Sequence, residues 1–227
     1  MVIGQVPGVL DPRFAFDIYA LRLTRLAHAT LTRPHADSLA PEPWVAEHIE
    51  QEVTGNGSSV LVTLRKDAVF HDGRPIRAGD VIETIRALGS SSLGSPARKI
   101  FADIRCRATE GDEGQRVLLS LSEPRATLLA DLDIAILPRE QAAAPRGSPL
   151  LGSGPFELNR HDVGITLRPS ATYARWCDAV APTETRARRA VVVRTVRDEA
   201  ARALRLLGGK VDVACNTLSP ALALSLP

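Results

Sequence analysis

The 227-residue chain has few aromatics (4%), three cysteines, three lysines (Lys66, Lys99 and Lys210) and a formal net charge of only +2. Each shortage excludes something. So few rings leave little material for an aromatic-lined pocket. A near-zero net charge with basic residues spread along the chain argues against a nucleic-acid partner, which needs a concentrated basic face to displace phosphate counterions. The densest basic run, Arg186 to Arg189, leads straight into an apolar run and reads as a solvated strand entrance. Cys106, Cys177 and Cys215 are far apart and lack zinc-knuckle or Cys-x-x-Cys spacing, so buried free thiols are favoured over one disulfide. No run of about 18 apolar residues is present to span a bilayer. The opening Met1 to Gly8 has neither a basic start nor an apolar core, so no secretory signal is read within this chain.

What is present is ordinary globular material: 44% apolar, 24% charged, 16 Gly and 16 Pro. Such a length buries about 70% of its unfolded surface and needs no metal or disulfide to hold a core. Ile18 to Leu31 is predicted as an amphipathic helix, with Ile18, Leu21, Leu26 and Ala29 on an apolar stripe that also takes in Arg22. A Pro-rich loop, Ser38 to Pro43, precedes a hairpin whose arms are Ile49 to Val53 and Ser59 to Arg65, turning at Asn56-Gly57. Val60, Val62 and Leu64 alternate onto one face. A helix follows from Ala78 to Leu88, then a short helix to Asp103 with Pro96 near its start. Strands are expected at Ile104 to Thr109 and Gln115 to Ser122, and a short helix at Thr127 to Leu132. In the last third, Phe156 to Asn159 and Ile165 to Arg168 read as a hairpin. Val191 to Val196 reads as a buried strand, Asp198 to Leu207 as a helix stopped by Gly208-Gly209, and Val211 to Ala214 as a strand completing a βαβ unit.

No catalytic arrangement emerges from these residues. His71-Asp72-Gly73 suggests a metal or acid–base site, but the other histidines lack ligand spacing, and a turn at Asp72-Gly73 with His71 packing or hydrogen-bonding the loop is favoured. Gly152-Ser153-Gly154 lacks the third glycine and the following helix of a phosphate cradle, and it is not a serine elbow. Asp131 and Asp133 have no visible partner for shared acid–base work. Neither a cofactor nor a metal is implied.

The order of the pieces is more specific than any one of them. The segment RKDAVFHDGRPIRAGDVIETIRAL, Arg65 to Leu88, resembles the hallmark stretch of the bacterial extracellular solute-binding proteins, family 5, which includes dipeptide, oligopeptide and nickel receptors of ABC importers. Leu10-Asp11-Pro12, Pro43 to Glu47, Gly152 to Phe156 and Gly209 to Val213 match further family pieces in the same order. The chain departs from the pattern at Ala68, usually Gly, at Arg77, usually a helix-capping Thr, and at Pro169-Ser170, usually Arg-Asn.

The resemblance implies a mixed α/β, periplasmic-binding-protein-like class II fold, of which this chain holds lobe I only. Residues 1–36 and 151–227 would form a ligand-contacting subdomain, and residues 37–150 a subdomain inserted into it. The second lobe is not expected in these residues, so the chain would carry one wall of an interlobe cleft and bind peptides weakly or not at all. The implied function is non-enzymatic: the substrate-binding component of an ABC-type importer, extracytoplasmic, taking peptides or a similar small solute and meeting permease subunits. Phe16, Asp17, Ile18 and Tyr19 are the candidate ligand-binding residues. They equally suit a plain helix start, with Ile18 in the core and Asp17 as cap. The incomplete lobe face is expected to self-associate. The alternative is a cytoplasmic solute-sensing domain of a transcription regulator, which an upstream winged helix would reveal.

Overall fold

In a computed structural model, residues 1–5, 7–54, 57–162, 164–173, 189–214 and 218–224 are described. Two four-stranded sheets organise them. The strands of the first are β4 (Ala46–Thr54), β5 (Gly57–Leu64), β6 (Arg105–Ala108) and β7 (Arg116–Leu121), ordered β4-β5-β7-β6 and antiparallel throughout. The helix α2 (Ala78–Gly89) lies against it. Period-two alternation puts Val60, Val62 and Leu64 of β5 inward, as the sequence predicts, beside Val117 and Leu119 of β7. From α2, Val81, Ile82, Ile85 and Leu88 join the same core. Each such side chain contributes about 1.5–3 kcal/mol by leaving water.

Arg77 supplies no side-chain cap to α2. Instead Asp80 reaches back and accepts from the Arg77 N–H at 2.8 Å, and from the Arg139 N–H at 2.9 Å. One carboxylate therefore caps α2 and ties it to the short helix α5 (Arg139–Ala142). This compensates for the missing threonine.

The second sheet comprises β1 (Val2–Ile3), β8 (Phe156–His161), β9 (Gly164–Pro169) and β10 (Val191–Thr195), ordered β1-β10-β9-β8. The helix α1 (Ile18–Ala27) packs on it, and Ile3, Leu23, Ile165, Leu167 and Val193 form its core. The remaining elements are β2 (Thr32–Pro34), β3 (Pro41–Pro43), α3 (Arg98–Phe101), α4 (Leu128–Asp131), α6 (Glu199–Leu207) and α7 (Pro220–Leu224). No described helix is long and apolar enough to cross a membrane.

Several expectations need correction. The helix α1 ends at Ala27, and its buried side is Ala20, Leu23, Thr24 and Ala27, whereas Ile18 and Leu21 are exposed. Simple spacing chose a stripe about half a turn away from the real one, because Ala and Thr fit closely where bulk would not. The Pro-rich loop is partly a strand: β3 pairs antiparallel with β2, since proline is tolerated in so short a ladder. The first hairpin closes with Thr54 opposite Gly57, so Gly57 belongs to β5, and residues 55 and 56 lie outside those described.

β10 is not buried on both faces, for Val192 is 49% exposed. The expected βαβ unit is interrupted. β1 pairs in parallel with β10 on one side and bridges Ala214 on the other, so the N-terminus inserts between the two parallel partners. The Asp131 and Asp133 carboxylates have separate partners, the Thr127 hydroxyl and Arg25. Arg186 to Arg188, Cys177 and Cys215 lie outside the described residues. Cys106 is free and half-buried, and burial pushes its thiol up to about 12.

Candidate functional site

The segment that leads into α1 is anchored by charge and then turned outward. Arg13 folds onto Asp11 through Nε to Oδ1 at 2.9 Å and Nη2 to Oδ2 at 2.6 Å, with both side chains nearly inaccessible. The Nη1 donors go to carbonyls at the end of α5, Ala142 at 2.9 Å and Ala144 at 2.7 Å. A buried ion pair is tolerable only when its leftover donors find acceptors, and here both Nη1 donors do. The Leu10-Asp11-Pro12 piece thus fastens the β1–α1 connection to the α5 region. Phe14 is buried beside the Arg13 and Arg146 guanidinium groups.

Just beyond this anchor the four sequence-predicted residues take different roles. Asp17 is the N-cap of α1, its carboxylate accepting from the Tyr19 and Ala20 N–H groups at 3.0 and 2.9 Å. Tyr19 packs against the second sheet's core, and its hydroxyl accepts from the Gly4 N–H at 3.3 Å. Phe16 and Ile18 point away from the core, 75% and 47% exposed. Ile18 therefore does not fill the core position that a plain helix start would give it. Leu21, one turn further along α1, adds to this exposed apolar ledge.

A separate cleft of about 720 Å3 lies between β8, the loops around Gly8 to Asp11 and 146–152, and the C-terminal end of α1. None of Phe16, Asp17, Ile18 or Tyr19 lines it. His28 and His71 do. The Gly152-Ser153-Gly154 segment forms the joint behind them. Both Ser153 and Gly154 donate N–H groups to the Ala27 carbonyl, at 3.1 and 2.9 Å, and Ser153 Oγ accepts from the Ala29 N–H at 3.0 Å. A Cβ on Gly152 would overlap the Ala27 carbonyl, and one on Gly154 would sit 2.6 Å from the His28 nitrogen. The glycines exist for close backbone approach, so this stretch is a packing joint and not a phosphate loop.

Of the two readings of His71, the hydrogen-bonded one holds: its backbone N–H donates to the Gly152 carbonyl at 2.8 Å, and its ring Nε2 sits 2.9 Å from the Gly154 carbonyl. A carbonyl only accepts, so Nε2 carries the proton. His28 is buried, its Nδ1 enclosed and without a partner. Burial, aided by His71 and opposed by Asp11, holds its pKa down to about 4. Sequence reasoning did not single out His28, because nothing local distinguishes a helix-ending histidine from a surface one. Among the described residues, no group of three or more His, Cys, Asp or Glu side chains could hold a metal ion.

Residues 40–225 match the sequence profile of the bacterial extracellular solute-binding proteins, family 5 Middle. Protein XP55 of Streptomyces lividans is 29% identical over 178 residues, covering 76% of this chain and 31% of that protein. Two similar solved structures are the oligopeptide-binding protein AppA of Bacillus subtilis with a nonapeptide and NikA of Brucella suis with Fe(III)-EDTA. The TM-score is 0.77 for each. AppA is 21% identical, covering 92% of this chain and 42% of its own; NikA is 19% identical, covering 97% and 44%. This chain has the periplasmic-binding-protein-like fold and spans less than half the length of those proteins.

Proposed function

Because the chain belongs to the bacterial extracellular solute-binding proteins, family 5, we propose that it supplies one wall of a ligand cleft in the substrate-binding component of an ABC-type importer. The ligand class is a peptide or a similar small solute, and permease subunits of the importer are the partners, outside the cytoplasm. The wall is the segment Phe16 to Tyr19. The observation that carries this reading is the 75% exposure of the Phe16 ring shortly after the buried Asp11–Arg13 ion pair. A phenyl group held in water next to a rigid support costs free energy unless something covers it. The division into a discontinuous ligand-contacting subdomain, 1–36 with 151–227, and an inserted one, 37–150, is supported by the two separate sheets and their cores. Ala29, Leu31 and Tyr173 join the larger core across that division.

Half a cleft makes half the contacts, so closure around a ligand needs a second wall. Photo-crosslinking with benzophenone-labelled peptides tests the site. The expected adducts fall on residues 16–19. Adducts confined to the β4-β5-β7-β6 sheet would refute it.

A further inference from the structure

We propose that the cleft between β8 and the 146–152 loop is a second binding site, independent of the Phe16 ledge, for a small carboxylate carried on an apolar body. His28 supplies the first reason. It is only 5% exposed, it lines the cleft, and its Nδ1 has no hydrogen-bond partner among the described residues. Its own backbone N–H is satisfied by the Thr24 carbonyl, so the unmet demand lies on the ring Nδ1. A buried polar group left unpaired costs about 1–3 kcal/mol, which an occupant accepting its N–H would recover.

The charge around the cleft selects that occupant. Arg146 and Arg160 line it and have no acidic partner among the described residues. Of the two lining carboxylates, Asp11 is consumed by the bidentate Arg13, leaving Glu157 alone. The balance is positive in a half-enclosed space, where a carboxylate is drawn to guanidinium donors. The His71 Nε2–H is held by the Gly154 carbonyl and is not offered to an occupant. Val9, Leu10, Leu151 and Leu158 supply apolar surface for the body of the ligand. The volume of about 720 Å3 lies in the usual range for small-molecule pockets.

The test is an NMR titration of the 227-residue chain with sodium benzoate, using benzyl alcohol as the uncharged counterpart. The proposal expects saturable shifts of the His28 and His71 ring signals with benzoate and at least tenfold weaker binding of benzyl alcohol. It also expects Arg160→Glu, on the exposed rim, to weaken benzoate at least tenfold, and Phe16→Ala to leave it unchanged. His28→Phe should lose the same binding, and the rim variant keeps the test open if this buried one does not fold. An absent or non-saturable His28 shift, equal binding of the alcohol, or indifference to Arg160→Glu would each overturn the proposal. Loss of peptide crosslinks at residues 16–19 would not affect it, so the two sites fail separately.

Discussion

Asp11 and Arg13, two residues apart, form a bidentate ion pair that is shut away from solvent, and Arg13 spends its Nη1 donors on carbonyls at the end of α5. The pair welds the start of the chain to residues about 130 positions away, and the exposed Phe16 ledge stands on that weld.

Breaking one partner strands the other. Asp11→Ala should destabilise the chain by about 3–5 kcal/mol, because the Arg13 charge would stay buried without its counterion. Urea unfolding checks this, and a loss under about 1 kcal/mol would mean that the anchor is not structural.

His28 makes stability depend on pH. Its pKa in the folded chain, about 4, lies below the ordinary 6.5, so the unfolded chain takes up the proton first. The stability is complete above about pH 6.5 and is lost as the pH falls to about 4. The loss amounts to about 3 kcal/mol. The groups acting on this ring are His71 and Asp11, the latter paired with Arg13. Denaturation curves at pH 7 and pH 4 should show a steeper loss in the parent than in His28→Gln. Equal slopes would rule out His28 as the titrating group.

The Gly-Ser-Gly joint admits no side chains. Gly152→Ala and Gly154→Ala should each cost at least about 2 kcal/mol, since backbone atoms of Ala27 and His28 occupy the Cβ positions. Gly8→Ala is the control, with nothing within 4 Å of its Cβ, and should be near neutral. A thermal melt separates the outcomes.

Leu204 and Leu207 lie three apart on α6, 69% and 51% exposed, and Val192 is half exposed on β10. Uncovered apolar surface of this kind favours association. Sedimentation velocity should show concentration-dependent self-association that weakens in Leu204→Glu/Leu207→Glu. A strictly monomeric profile at high concentration would contradict it.

Much of the architecture is legible along the chain. The β4–β5 hairpin follows from Val60, Val62 and Leu64 alternating, α2 from the spacing of Val81, Ile82, Ile85 and Leu88, and the end of α6 from Gly208-Gly209. The side of α1 that faces the core was not legible. Its small residues Ala20 and Ala27 are inside and its Ile18 is outside, a choice made by the sheet it meets. The same holds for Asp80, in the first turn of α2, whose carboxylate also caps the start of α5.

The sequence by itself determined the family and the local elements, because ordered short motifs and hydrophobic period survive without tertiary context. Its shortage of rings also meant that an exposed Phe would matter. Tertiary structure alone decided three things: that β1 slips between β10 and Ala214, that Asp11 and Arg13 close on each other, and that the His28 Nδ1 ends without a partner beside a cleft. The physical reason is common to all three. Each depends on which distant backbone comes within hydrogen-bond reach, and residue spacing carries no record of that.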